Sequence, residues 1–203
     1  MIDLYTFGTS NGKRASVALE ECALPYTVHK VDLAKGEQQA PEFLRLNPLG
    51  VIPVIVDSDG PGGKPLVLSQ SGAIALYAAE KSGRFLPKDP ARRMKTIEWL
   101  MHAVSDAAGA VGTIVQGERM PEKPVAVLDR TKGRLSGFFK AIDAQLAAGE
   151  YLVGELTIAD LALYPAIVSG KNFVAIAGFP NLGRWAAALG ARPGVAKGMS
   201  VPG

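Results

Sequence analysis

The chain has 203 residues, a net charge of +3 and a single cysteine. That length holds one domain or two small ones around a real core, and Cys22 alone excludes an intrachain disulfide framework or a multi-cysteine metal site. Lysines and arginines are scattered rather than gathered in a stripe with aromatics, and no apolar stretch approaches a membrane span, so neither nucleic acid nor membrane is an expected partner.

Met1-Ile2-Asp3-Leu4 has no basic n-region or apolar h-region, which makes a soluble cytoplasmic protein the expectation. Ile2, Leu4 and Tyr5 begin a strand that ends at Gly8. Thr9-Ser10-Asn11-Gly12 then offers capping residues for a helix over 13–23, whose apolar face is Ala15, Ala18, Leu19 and Cys22. On that face Cys22 reads as a packed small hydrophobe rather than a nucleophile. Leu24-Pro25 breaks the helix, and residues 26–31 alternate as a second strand, giving a strand-helix-strand unit with a parallel pair.

Lys35-Gly36-Glu37-Gln38-Gln39 is polar, and Pro41-Glu42-Phe43-Leu44 starts a short helix. Asn47-Pro48 and Gly50 form turns that lead through Val51-Ile52-Pro53 into a buried β-branched strand ending at Asp57. Proline suits a strand only at its first residue, an edge or a bulge. The Ile52-Pro53 bond is open to either the cis or the trans form. Dense turn chemistry over 58–65 precedes an answering hairpin strand at Leu66-Val67-Leu68, and Ser69-Gln70-Ser71-Gly72 places a hydroxyl to cap a helix over 73–81.

The order so far is βαβ, then ββα, a thioredoxin-like pattern over 1–82. A proline-bounded linker, 83–91, leads to an all-helical part over 92–203. One long helix is expected over 91–117, with Gly109 and Gly112 allowing close packing or a bend. Another follows over 125–147. Thr157 as N-cap with Asp160 at N3 makes a shortened capping box for a third, and Phe179-Pro180 opens a last helix ended by Arg192-Pro193. Trp99, Met101 and Trp185 are expected in the core, and His102 on the surface or in packing.

These residues resemble the cytosolic glutathione transferases. Val51-Ile52-Pro53 is similar to the family's cis-proline loop, Gln70-Ser71-Gly72-Ala73-Ile74 to its γ-glutamyl-binding motif, and Thr157-Ile158-Ala159-Asp160 to its capping-box helix. Pro180-Asn181-Leu182, Arg184-Trp185 and Ala191-Arg192-Pro193 resemble its C-terminal signature. Within the superfamily, Thr9-Ser10-Asn11-Gly12 and Lys35-Gly36-Glu37-Gln38 look most like the bacterial Nu-class group, whose members reduce disulfides and organic peroxides with glutathione. Two departures stand out: Gln70 replaces the Glu of that group, and residues 112–120 lack its aromatics.

The resemblance implies glutathione as co-substrate, no metal, and a homodimer acting on a small electrophile, disulfide or peroxide. It places Thr9 and Asn11 beside the glutathione sulfur as catalytic residues. Gln38, Val51, Ile52, Pro53, Gln70 and Ser71 would hold the tripeptide, and Arg130 would reach the glutathione of the other subunit. A second reading is a binding or regulatory protein on the same fold without catalysis. A glutaredoxin-like enzyme with its own catalytic cysteine is nearly excluded, because residues 9–12 contain none.

Overall fold

The structure, a computed structural model, describes residues 1–203. Those residues gather into two compact units, Met1–Arg84 with Pro193–Gly203, and Phe85–Arg192.

In the first unit β1 (Ile2–Thr6), α1 (Ser10–Glu21) and β2 (Tyr26–Lys30) form the strand-helix-strand element, with β1 and β2 parallel from Ile2 opposite Tyr26 to Thr6 opposite Lys30. After two 3₁₀ turns, Leu33–Lys35 and Glu37–Gln39, come α2 (Pro41–Leu46), the antiparallel pair β3 (Val54–Asp57) and β4 (Leu66–Ser69), and α3 (Ser71–Ser82). The sheet order is β2-β1-β3-β4, with β1 antiparallel to β3. This mixed four-stranded sheet is the thioredoxin-like arrangement that the pattern predicts.

Alternation along β1 decides which side packs where. Ile2, Leu4 and Thr6 are buried on one face, while Tyr5 on the other face stacks on His29 and meets Phe43 of α2 edge-on. Val31, Phe43 and Val54 make a small core there, with Tyr5, Leu46 and Ile52 against it.

The chain's end departs from expectation. Pro193 does not stop the helical part but opens α9 (Pro193–Met199), where its missing N–H costs nothing. α9 lies on α1 in the first unit rather than with the helices that precede it. Ser16 Oγ donates to the Gly198 carbonyl at 2.7 Å, and the Val195 N–H to Glu21 Oε1 at 3.1 Å. A Cβ at Gly198 would stand 2.5 Å from Val17 Cα, so only glycine allows this approach.

The second unit is helical: α4 (Pro90–His102), α5 (Ala108–Arg119), α6 (Val125–Leu146), α7 (Ile158–Gly170) and α8 (Pro180–Gly190). The expected long helix is irregular at Ala103–Ala107, which winds as a π-helix, and not at Gly109 or Gly112. Ala103 and Ala107, buried and small, let that wider turn pack. The Asp160 carboxylate is a hub that accepts from the Thr157 N–H, the Thr157 hydroxyl, the Leu152 N–H and Trp185 Nε1 at 2.9–3.0 Å. Burial nonetheless pushes its pKa up. Trp185 is core as expected, whereas Met101 is 47% exposed; Leu100 takes the inward position on that turn. No helix is long and apolar enough to cross a membrane.

Candidate glutathione site

Strand direction collects the expected site residues. Tyr5 pairs with Val54 and Val54 with Ser69, so the end of β1, the start of β3 and the end of β4 share one edge of the sheet. Thr6 opposite Lys30 adds the end of β2. The segments just beyond those ends carry Thr9 and Asn11, Gln38, Val51 to Pro53, and Gln70 with Ser71. Arg130 belongs to the second unit, where it is exposed on α6 beside Val127 and Arg134.

Thr9 is the N-cap of α1, and its Oγ1 accepts from the Gly12 N–H at 3.1 Å. A hydroxyl that accepts there keeps its own hydrogen for another partner. Gly12 is required: a Cβ would lie 2.1 Å from the Phe7 carbonyl oxygen and 2.5 Å from Thr6 Oγ1. α1 begins at Ser10, three residues before the expected start, so Asn11 belongs to the first turn and is not a cap. That removes the capping explanation for Asn11. Its side chain is exposed, and its Oδ1 accepts from Arg14 Nη1 at 2.7 Å.

At the second helix start the expected hydroxyl cap is not made. Gln70 is the N-cap residue of α3 with no side-chain capping bond, and the buried Ser71 Oγ accepts instead from Arg14 Nη1 at 2.8 Å. Gln70 holds φ 72°, ψ 114°. The first N–H groups of an α-helix lack intrahelical partners and carry the positive end of its dipole, so both helix starts favour an anion.

Between them the Ile52-Pro53 bond is cis, which answers the question the sequence leaves open. Pro53 is buried and Val51 is 45% exposed. The Val51 carbonyl is taken by Asn47 Nδ2 at 2.7 Å, which fixes the loop. Gln38, in the second 3₁₀ turn, has its Oε1 buried without a hydrogen-bond partner, an orphaned acceptor that gains from any donor it turns toward.

Arg14 is the residue the sequence reading missed. It is fully buried on α1, and burial pulls its pKa down to about 10, which leaves it a cation at neutral pH. The signal was present: Arg14 stands four residues before Ala18, on the same helical face as the apolar set, where a charge needs partners.

Cys22 is buried and unpaired, and burial pushes its thiol up, so it is a packing residue. His102 pairs through Nδ1 with Asp106 Oδ2 at 2.8 Å and lies near Trp99 and Phe138.

Comparison with known proteins identifies the family. Residues 10–81 match the family model for the glutathione S-transferase N-terminal domain and residues 95–193 the model for its C-terminal domain. The disulfide-bond oxidoreductase YfcG of Escherichia coli strain K12 is 35% identical, covering 98% of this chain and 94% of that protein. Among solved structures, a glutathione transferase family member from Pseudomonas fluorescens pf-5 with two glutathione bound superposes with TM-score 0.94 at 36% identity, covering 99% of this chain and 93% of that one. A glutathione transferase from Pseudomonas putida with one glutathione disulfide per subunit gives 0.93 at 34% identity, covering 100% and 92%. The chain belongs to the glutathione S-transferase family.

Proposed function

We propose that the protein is a glutathione transferase-like enzyme that ionises glutathione at the start of α1 and uses the thiolate on a disulfide, a peroxide or an electrophilic carbon, with disulfide reduction foremost. The observation that carries this is the α1 start itself: Thr9 keeps a hydroxyl hydrogen to donate, and Asn11, not needed as a cap, is exposed beside it. The relatives' disulfide-bond oxidoreductase activity and their bound glutathione or glutathione disulfide support the choice of reaction over a silent binding protein.

Magnitudes fit the task. A free thiol with pKa of about 8.5 is only a few per cent thiolate at pH 7. Lowering it by about 2 units requires roughly 2.7 kcal/mol of preferential thiolate stabilisation. The helix dipole contributes about 0.3 to 1 kcal/mol, and each hydrogen bond to the anion, from Thr9 and Asn11, about 1.5 to 3 kcal/mol. No protein base is needed. The tripeptide lies along the Val51 to Pro53 loop, with the Ile52 backbone facing it and Gln38 turning outward to meet it. Its γ-glutamyl carboxylate sits at the start of α3, where Ser71 and Gln70 receive it.

For a disulfide RSSR, one glutathione thiolate attacks a sulfur, forming the mixed disulfide GSSR and expelling RS⁻. A second thiolate attacks the glutathione sulfur of GSSR, giving GSSG and the second RS⁻, and each RS⁻ takes up a proton. Two glutathiones supply both electrons, so Cys22 has no part. The working unit is a cytoplasmic homodimer in which Arg130 of each copy serves the other copy's glutathione.

The test is an ultraviolet difference titration of bound glutathione with pH, in wild type and Asn11→Ala. The thiolate band is expected to form about 2 units below free glutathione in wild type and at least 1 unit higher in the variant. Binding with an unshifted thiol would return the protein to the non-catalytic reading.

A further inference from the structure

We infer that Arg14 sets the hydrogen-bond polarity of the site, turning Asn11 and Ser71 so that both offer donors to glutathione. This rests on the proposed binding of glutathione at the starts of α1 and α3.

A guanidinium donates and never accepts. Nη1 of Arg14 has two hydrogens and two acceptors, Asn11 Oδ1 at 2.7 Å and Ser71 Oγ at 2.8 Å. Facing a pure donor, the Asn11 amide must turn its oxygen inward, which sends both Nδ2 hydrogens to the opposite side. Ser71 must accept through a lone pair, so its O–H hydrogen is directed to another partner. One buried cation therefore makes an outward donor of a residue at each helix start. The thiolate meets the amide N–H of Asn11, and the γ-glutamyl carboxylate meets the Ser71 hydroxyl. Both of these ligand groups are anions, and the charge of Arg14 behind Asn11 and Ser71 favours both. Arg14 is a positioning residue: it acts through Asn11 and Ser71.

The fork geometry of arginine matters here, because one planar nitrogen holds two acceptors at fixed directions, whereas a lysine ammonium is a rotatable point charge. A purely structural role, a buried arginine that only ties α1 to α3, predicts lost stability without a specific loss of thiol ionisation.

The test uses the full chain with glutathione and with S-methylglutathione, which keeps the carboxylates but has no ionisable thiol. In Arg14→Met, folded by circular dichroism, the thiolate midpoint of bound glutathione is expected to rise by about one pH unit. S-methylglutathione is expected to bind about tenfold more weakly. The thiol effect should not add to that of Asn11→Ala, nor the affinity effect to that of Ser71→Ala, since each pair removes one shared interaction. Arg14→Lys should recover part of both. Asn11→Asp keeps the acceptor for Arg14 but replaces the outward NH₂ by an acceptor oxygen, so its thiol midpoint should equal or exceed that of Asn11→Ala; this variant decides the matter if Arg14→Met does not fold. A folded Arg14→Met with both readouts unchanged, losses that simply add, or a wild-type midpoint in Asn11→Asp would each overturn the inference. An unshifted thiol in wild type would instead sink the activation reading and the Asn11 half of this one, while S-methylglutathione affinity still judges Ser71.

Discussion

Gln70 occupies backbone space that residues other than glycine enter at a cost of about 1 to 3 kcal/mol, and it does so exposed, with no capping bond in return. Strain kept at the start of α3, beside Ser71, fits a residue whose amide is held toward a ligand. Gln70→Gly should then raise resistance to urea by about 1 kcal/mol while weakening glutathione binding. Gln70→Glu should tighten binding severalfold, because a carboxylate can pair with the ligand's α-amino group where the amide only accepts a hydrogen bond. Calorimetric titration of the Glu variant checks this, and unchanged or poorer affinity would remove Gln70 from the ammonium end of the ligand. Residue types in the sequence reached far at this scale: the cap of α1 comes from the 9–12 run that offers capping residues, although with Thr9 in that place the helix begins three residues ahead of the expected start. Arg14 shows the limit, since its position on an apolar face was readable but its partner Ser71 lies 57 residues away and no local pattern joins them.

Among the elements, the β3 end ties the first unit together. The Asp57 carboxylate accepts from the Tyr77 hydroxyl at 2.5 Å and the Asp59 N–H at 2.9 Å, and Lys81 Nζ lies 3.0 Å away. Burial pushes its pKa up, but Tyr77, Asp59 and Lys81 together hold it below the ordinary carboxylate range. The sign follows: stabilisation is complete above the unfolded value of about 3.9 and fades as pH falls through the lower folded value. Asp57→Asn should lose about 1.5 to 3 kcal/mol at pH 7, and the gap to wild type in urea unfolding should shrink below about pH 4. A gap of constant size down to pH 2.5 would show that ionisation of Asp57 is not its source. Short alternating strands and the hairpin between Asp57 and Leu66 were legible because period and turn chemistry are local. The π-turn at Ala103–Ala107 and the α1 start were not, because packing chooses between windings that sequence leaves nearly equal. Pro193 carried two meanings, a stop and a first helical residue, and only contact with α1 selects the second.

At the scale of the whole molecule, the family fixes the fold, but Arg130 raises a question of assembly. It is exposed on α6 in the second unit, and no salt bridge engages it within the chain. A long, solvated arginine explains itself as an ordinary surface charge; as a group serving the partner's glutathione it must act in trans. Mixing chains separates the two. An Asn11→Ala chain has a silent thiol loop but a sound Arg130, and an Arg130→Ala chain the reverse. If Arg130 works across a dimer, the mixed dimer regains one complete site, so co-refolded chains should recover up to about half of the wild-type activity per mixed dimer. If it works within its own chain, both sites stay damaged and mixing restores nothing. Disulfide reduction measured across mixing ratios, with sedimentation to count dimers, reads the result. Recovery that follows the fraction of mixed dimers would assign Arg130 to the neighbour's site. A flat response with intact dimers would return it to the surface of its own subunit.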